Sequence, residues 1–159
     1  MEQDSSEDDD TAPQVRALRS TVALDGDGSC IAEARRLAAM FLARAQAEYG
    51  LPVSDRAMDL TQLVVSELVT NARKYAPGPV LMDLRIVDGQ VEVAVWDSDP
   101  VLPVARAADA QRVGQHGLEI VRAVARGFEA QREPVGKRIT ARIPLTDAPD
   151  GVVGGTQVP

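Results

Sequence analysis

Asp88-Gly89 stands between two eight-residue runs, VLMDLRIV (80–87) and QVEVAVWD (90–97). A two-residue turn of this kind needs positive φ at both positions, which Asp tolerates and Gly accepts without strain. It obliges the flanking runs to pair as antiparallel neighbours in one register. A second pair, FEAQRE (128–133) and KRITARIPL (137–145), is parted by Pro134-Val135-Gly136, and QVRALRSTVAL (14–24) has the alternation of a further strand. DGDG then turns the chain, and Ser29 is placed to cap a helix through IAEARRLAAMFLARAQAEY (31–49), ended by Gly50 and Pro52. Ser54 caps a second helix that runs to about Tyr75 and stops before Pro77-Gly78-Pro79, while GLEIVRAVAR (117–126) is a short helix opened by glycine. Two hairpins with helices elsewhere predict an α+β protein, a two-layer α/β sandwich with a mixed or antiparallel sheet covered on one face by helices.

A chain of 159 residues suits one domain with a sizeable core. MEQDSSEDDD has six acidic residues in ten, so residues 1–13 read as a solvated tail, 14–146 as the domain, and 147–159 as a loose, Gly- and Pro-containing end. The net charge of −7 argues against nucleic acid as a partner. One cysteine, Cys30, excludes an internal disulfide, and with one histidine, His116, it argues against a Cys/His zinc site. No apolar run approaches the ~18 residues of a membrane span, and the acidic start is unlike a signal peptide, so the expectation is a cytoplasmic protein. DGDGS is a turn rather than a calcium loop, because Ala23 and Ala34 would fall at the first and last ligand positions. His116 has no G-x-S-x-G elbow, and neither a Walker loop nor G-x-G-x-x-G occurs.

The second long helix carries the chemistry. Leu60, Val64, Glu67, Asn71 and Lys74 recur at helical spacing, so a carboxylate, an amide and an ammonium continue a stripe begun by aliphatic residues. One reading lets Glu67 and Lys74 reach water from the helix margin, with Asn71 hydrogen-bonded inside. The other makes this face the wall of a cleft, where a carboxylate polarises a hydroxyl, an amide oxygen ligates a hard cation such as Mg²⁺, and a lysine meets phosphate.

ELVTNARKYA (67–76) resembles the N box of the GHKL superfamily, the Bergerat-fold ATPases and kinases. VEVAVWDSDP (91–100) is similar to the strand and aspartate of that superfamily's first glycine box, GQHGLEIVRAVA (114–125) to its second, and GKRITARIPL (136–145) to the closing strand. The four blocks stand in the family's order and span about residues 15 to 146. A lone short domain of this layout looks most like the bacterial anti-sigma-factor serine/threonine kinases.

The resemblance implies ATP and Mg²⁺ as cofactors. It puts the metal-ligating asparagine on Asn71, the general base on Glu67, and a phosphate-approaching base on Lys74. Asp97 takes the place of the carboxylate that accepts the adenine amino group, and Thr140 that of a hydroxyl near it. Gly114, Gly117 and Leu118 fall at the end of a mobile lid, which makes the patternless stretch 98–115 the ATP lid. Its implied partners are a sigma factor or an anti-anti-sigma protein of the STAS type, with room for a homodimer.

This chain departs from the pattern in both boxes. Asp99, Pro100 and Val101 replace the first-box glycines, the second box is stretched to Gly114-Gln115-His116-Gly117-Leu118, and Tyr75 replaces a frequent histidine. Two functions stay open. One is a kinase that transfers the ATP γ-phosphate to a serine of a STAS-type partner, favoured by Glu67. The other is a binding module that sequesters a sigma factor or similar regulator with little or no catalysis, favoured by the altered glycines.

Overall fold

The computed structural model describes residues 18–25, 29–75, 78–99 and 115–147. Residues 14–17 of the expected first strand, the two expected tails apart from Asp147, the DGDG turn after Asp25, and positions 100–114 of the expected lid lie outside them. The elements are β1 (Arg19–Leu24), α1 (Cys30–Tyr49), α2 (Asp55–Tyr75), β2 (Val80–Val87), β3 (Gln90–Asp97), α3 (Gln115–Val124), β4 (Gly127–Arg132) and β5 (Lys137–Pro144).

The Asp88-Gly89 turn forms as the sequence predicts. Both residues have positive φ, 53° and 76°, and Val87 faces Gln90 at the mouth of the hairpin. Ser54 caps α2 by accepting the Ala57 N–H at 2.9 Å, whereas Ser29 stands at the start of α1 without a side-chain cap bond. Gly50 closes α1 in the left-handed region that glycine adopts freely, and its N–H bonds the Gln46 carbonyl at 3.2 Å.

The five strands lie in the order β1-β2-β3-β5-β4, and every pairing is antiparallel. The fold is therefore the expected α+β sandwich, but its sheet is antiparallel throughout and not mixed. The reason is β5. Being antiparallel to both β3 and β4, it shows that those two run the same way, and by lying between them it keeps them from pairing in parallel.

Alternation sorts the residues into two layers. Met82, Leu84 and Ile86 of β2, Val91, Val93 and Val95 of β3, and Ile139, Ala141 and Ile143 of β5 face the helices and are buried. They meet Ala38, Phe41 and Leu42 of α1 and Val64, Val65, Leu68 and Val69 of α2 in one core. Each Val, Leu, Ile, Met or Phe among them contributes about 1.5–3 kcal/mol by leaving water. The other face is charged. Glu92 lies between Arg85 and Arg142, its register partners on β2 and β5, with bonds of 2.9 to 3.0 Å to each. Asp83 accepts from Arg19 at 3.0 Å and Thr21 at 2.7 Å. Among the described residues, no helix is long and apolar enough to cross a membrane.

Candidate functional site

Burial along the polar stripe of α2 is uneven. Val64 is fully buried, Glu67 is half-buried, Asn71 retains 8% of its surface, and Lys74 is exposed. Lys74 reaches water as the first reading has it, while Glu67 is only half covered and Asn71 nearly buried. The first turn of α3 explains the position of Glu67. A Cβ built on Gly117 would collide with the Glu67 Oε1, so this carboxylate rests against bare helical backbone. The opening turn of a helix presents N–H groups without helical acceptors and the positive end of its dipole. Leu118, next in α3, packs partly buried against the core. Gly114 lies outside the described residues, and so does the side chain of His116.

α2 also packs on β3, whose last residue is Asp97. Asp97 is on the helix-facing side, in phase with Val91, Val93 and Val95, and it is occupied. Lys137 Nζ donates to both carboxylate oxygens, at 3.0 and 3.1 Å, and the Asp99 N–H donates to Oδ1 at 2.8 Å. Lys137 further bonds the Asp99 carbonyl at 3.3 Å and lies 3.6 Å from its carboxylate. Burial pushes the Asp97 carboxyl up from its usual 3.8, against the pull of Lys137 and of the Asp99 N–H. Gly136 makes the arrangement possible. Its φ is +81°, and a Cβ there would collide with the Asp97 carbonyl oxygen, so the β4–β5 turn presses directly on the end of β3.

Lys137 is the residue beside Asp97 that sequence reading misses. A lysine at the start of a strand suggests solvent, yet the signal was present. Position 137 is in phase with Ile139, Ala141 and Ile143, the buried face, and faces Asp97 in register. The same parity moves Thr140 away from its expected place. Thr140 pairs with Ala94 and lies on the charged face with Glu92 and Arg142, so the group beside Asp97 is an ammonium and not the Thr140 hydroxyl.

The helix-facing layer therefore carries two unlike groupings of candidate residues. At one, Glu67, Asn71 and the backbone of Gly117 offer a proton acceptor, an amide oxygen and a close approach to helical N–H groups. No three His, Cys, Asp or Glu side chains among the described residues could hold a metal together. A Mg²⁺ ion at Asn71 would complete its shell with phosphate oxygens and water, which is how this ion is usually held. At the other, Asp97 already accepts three bonds, two from Lys137 and one from the Asp99 N–H.

A family model for the histidine kinase-like ATPase domain matches residues 31–143, from the first turn of α1 to the end of β5. The chain belongs to this family, and the superfamily expected from the four motifs is met at that level. No curated protein matches the chain. Among solved structures, the chain is similar to the histidine kinase domain of a blue-light activated histidine kinase from Erythrobacter litoralis EL346, with 23% identity and a TM-score of 0.43. That similarity covers 57% of this chain and 45% of the other, so the chain spans less than half the length of that relative.

Proposed function

We propose that this protein is an ATP-binding regulator of the anti-sigma-factor serine/threonine kinase type, acting in the cytoplasm on a STAS-type anti-anti-sigma partner. The observation that carries the reading is the placement of Glu67 against Gly117, one helical turn from the nearly buried Asn71. Asn71 would hold Mg²⁺ against the phosphates, and the ion would supply charge neutralisation there. The N–H groups of the first turn of α3 would receive phosphate oxygens. Glu67 would take the proton of the acceptor serine as its Oγ bonds the γ-phosphorus. The bond from that phosphorus to the bridging oxygen then breaks, and ADP leaves.

The test compares two substitutions in a transfer assay run beside Mg-ATP titration. Asn71→Ala should weaken Mg-ATP binding by roughly 1–3 kcal/mol, the scale of a lost buried polar contact. Glu67→Ala should leave affinity nearly intact and slow transfer by roughly 10²–10⁴-fold. Transfer by Glu67→Ala at the wild-type rate would exclude the catalytic role.

A second reading, a sigma-factor-binding module with weak or no catalysis, is favoured by a different observation. A cavity of about 360 Å³ opens at the strand ends beside Asp97, lined in part by Leu81, Trp96 and Val135. Leu81 is 38% and Val135 77% exposed, an apolar rim suited to a protein partner. Under this reading both variants keep partner binding, and the wild type transfers no phosphate.

A further inference from the structure

We infer that Lys137 sets the base preference of the nucleotide site. By holding Asp97 in an internal ion pair it keeps the amino group of adenine from being read, so triphosphates bind through their phosphates with little selection for the base. The inference rests on the nucleotide-binding reading above.

Hydrogen-bond capacity carries the argument first. An ionised carboxylate has about four acceptor positions. Three at Asp97 are taken, two by Lys137 and one by the Asp99 N–H. A neutral amino group would compete with an ammonium, whose charge-assisted bonds are about twice as strong. Access points the same way. The Asp97 side chain is 2% exposed and that of Lys137 1%, so a base reaches the carboxylate only if the pair is broken inside the protein. Breaking it would strand a buried ammonium between groups it now satisfies.

The lysine does not transfer the preference to guanine. A guanine carbonyl would need a spare ammonium proton, but the three protons of Lys137 are directed at both Asp97 oxygens and the Asp99 carbonyl. Nor can the lysine easily withdraw. The backbone of Gly136, the preceding residue, lies in contact with that of Asp97 and Ser98, and the two strands are paired at Asp97 and Lys137 themselves. Lys137 thus acts through Asp97, as a specificity-determining residue that does not touch the ligand.

The experiment titrates the intact protein with the Mg²⁺ complexes of ATP, GTP and inosine triphosphate, whose ring carries oxygen in place of the amino group. Wild-type affinities for the three should agree within about threefold, well short of the roughly tenfold or more that a hydrogen bond to a charged group is worth. In Lys137→Met, Asp97 gains free acceptor positions, and ATP should lead inosine triphosphate by about tenfold or more. A purely structural lysine would change stability without moving this ratio. A wild-type lead of that size for ATP overturns the inference and leaves nucleotide binding intact. So does a folded Lys137→Met protein whose ratio stays near one. If the variant does not fold, the wild-type ratios decide. If wild type binds none of the three, the nucleotide-binding reading itself fails, and this inference with it.

Discussion

The Glu67 carboxylate fills the space that a side chain on Gly117 would need. This contact ties the catalytic candidate of α2 to the first turn of α3, and it separates two properties that substitutions usually change together. Gly117→Ala should not harm stability, because alanine is favoured over glycine in a helix by about 1 kcal/mol and the clashing atom is the end of a flexible side chain. Phosphotransfer should nevertheless fall by roughly 10-fold or more, as misplacing a reacting group by about 1 Å costs up to 10²-fold. Thermal unfolding and the transfer assay on one preparation check this; equal losses in both would contradict it.

Gly136→Ala should behave differently. Its neighbour is backbone, which cannot swing aside, and its φ of +81° is strained for any other residue. We expect a loss of at least about 1–3 kcal/mol in urea unfolding. The matched change at Gly89, whose φ is +76° with open space around it, should cost less.

Lys137→Met removes one partner of a buried ion pair and should cost about 3–5 kcal/mol. The double variant Lys137→Met/Asp97→Asn removes both charges and should recover a large part of that loss. A double-mutant cycle by chemical denaturation gives the coupling, and simple additivity would show that the pair contributes nothing to the fold.

Glu92 gives a pH signature on the other face. Burial alone would raise its carboxyl, but the Arg142 and Arg85 guanidiniums outweigh burial and hold it below the usual 4.5. A carboxyl held low in the folded state contributes stability that is present above the unfolded value and lost as pH falls through the folded one. Asp97, held above 3.8, works in the opposite sense and loses stability as pH rises through its folded value. The gap in urea midpoint between wild type and Glu92→Gln should therefore be widest near neutral pH and shrink below pH 4.5. A gap independent of pH would rule out the assigned role of the two arginines.

Much of this was legible in the sequence because local rules acted alone. Asp88-Gly89 set one hairpin, and Gly50 and Ser54 marked helix ends that the chain keeps. The family blocks singled out Glu67, Asn71 and Asp97 as candidates. What was hidden depended on register between distant strands. Nothing local says that β5 inserts between β3 and β4, and without that register Lys137 reads as surface and Thr140 as a neighbour of Asp97. The alternation inside KRITARIPL already separated residues 137 and 140 onto opposite faces, and only the partner strand was missing.

The Asp97–Lys137 contact joins positions 40 residues apart. It closes a loop that holds the segment between Asp99 and Gln115, the whole of α3 and β4. Loop-closure entropy grows only with the logarithm of length, so even doubling such a loop costs about 0.6 kcal/mol. By loop-closure entropy alone, a change of length between the two glycine boxes costs folding little, while β3 and β5 keep the loop's ends in register. The length of that connection is thus a free variable of the design, one that can be altered without rebuilding the sheet that carries it.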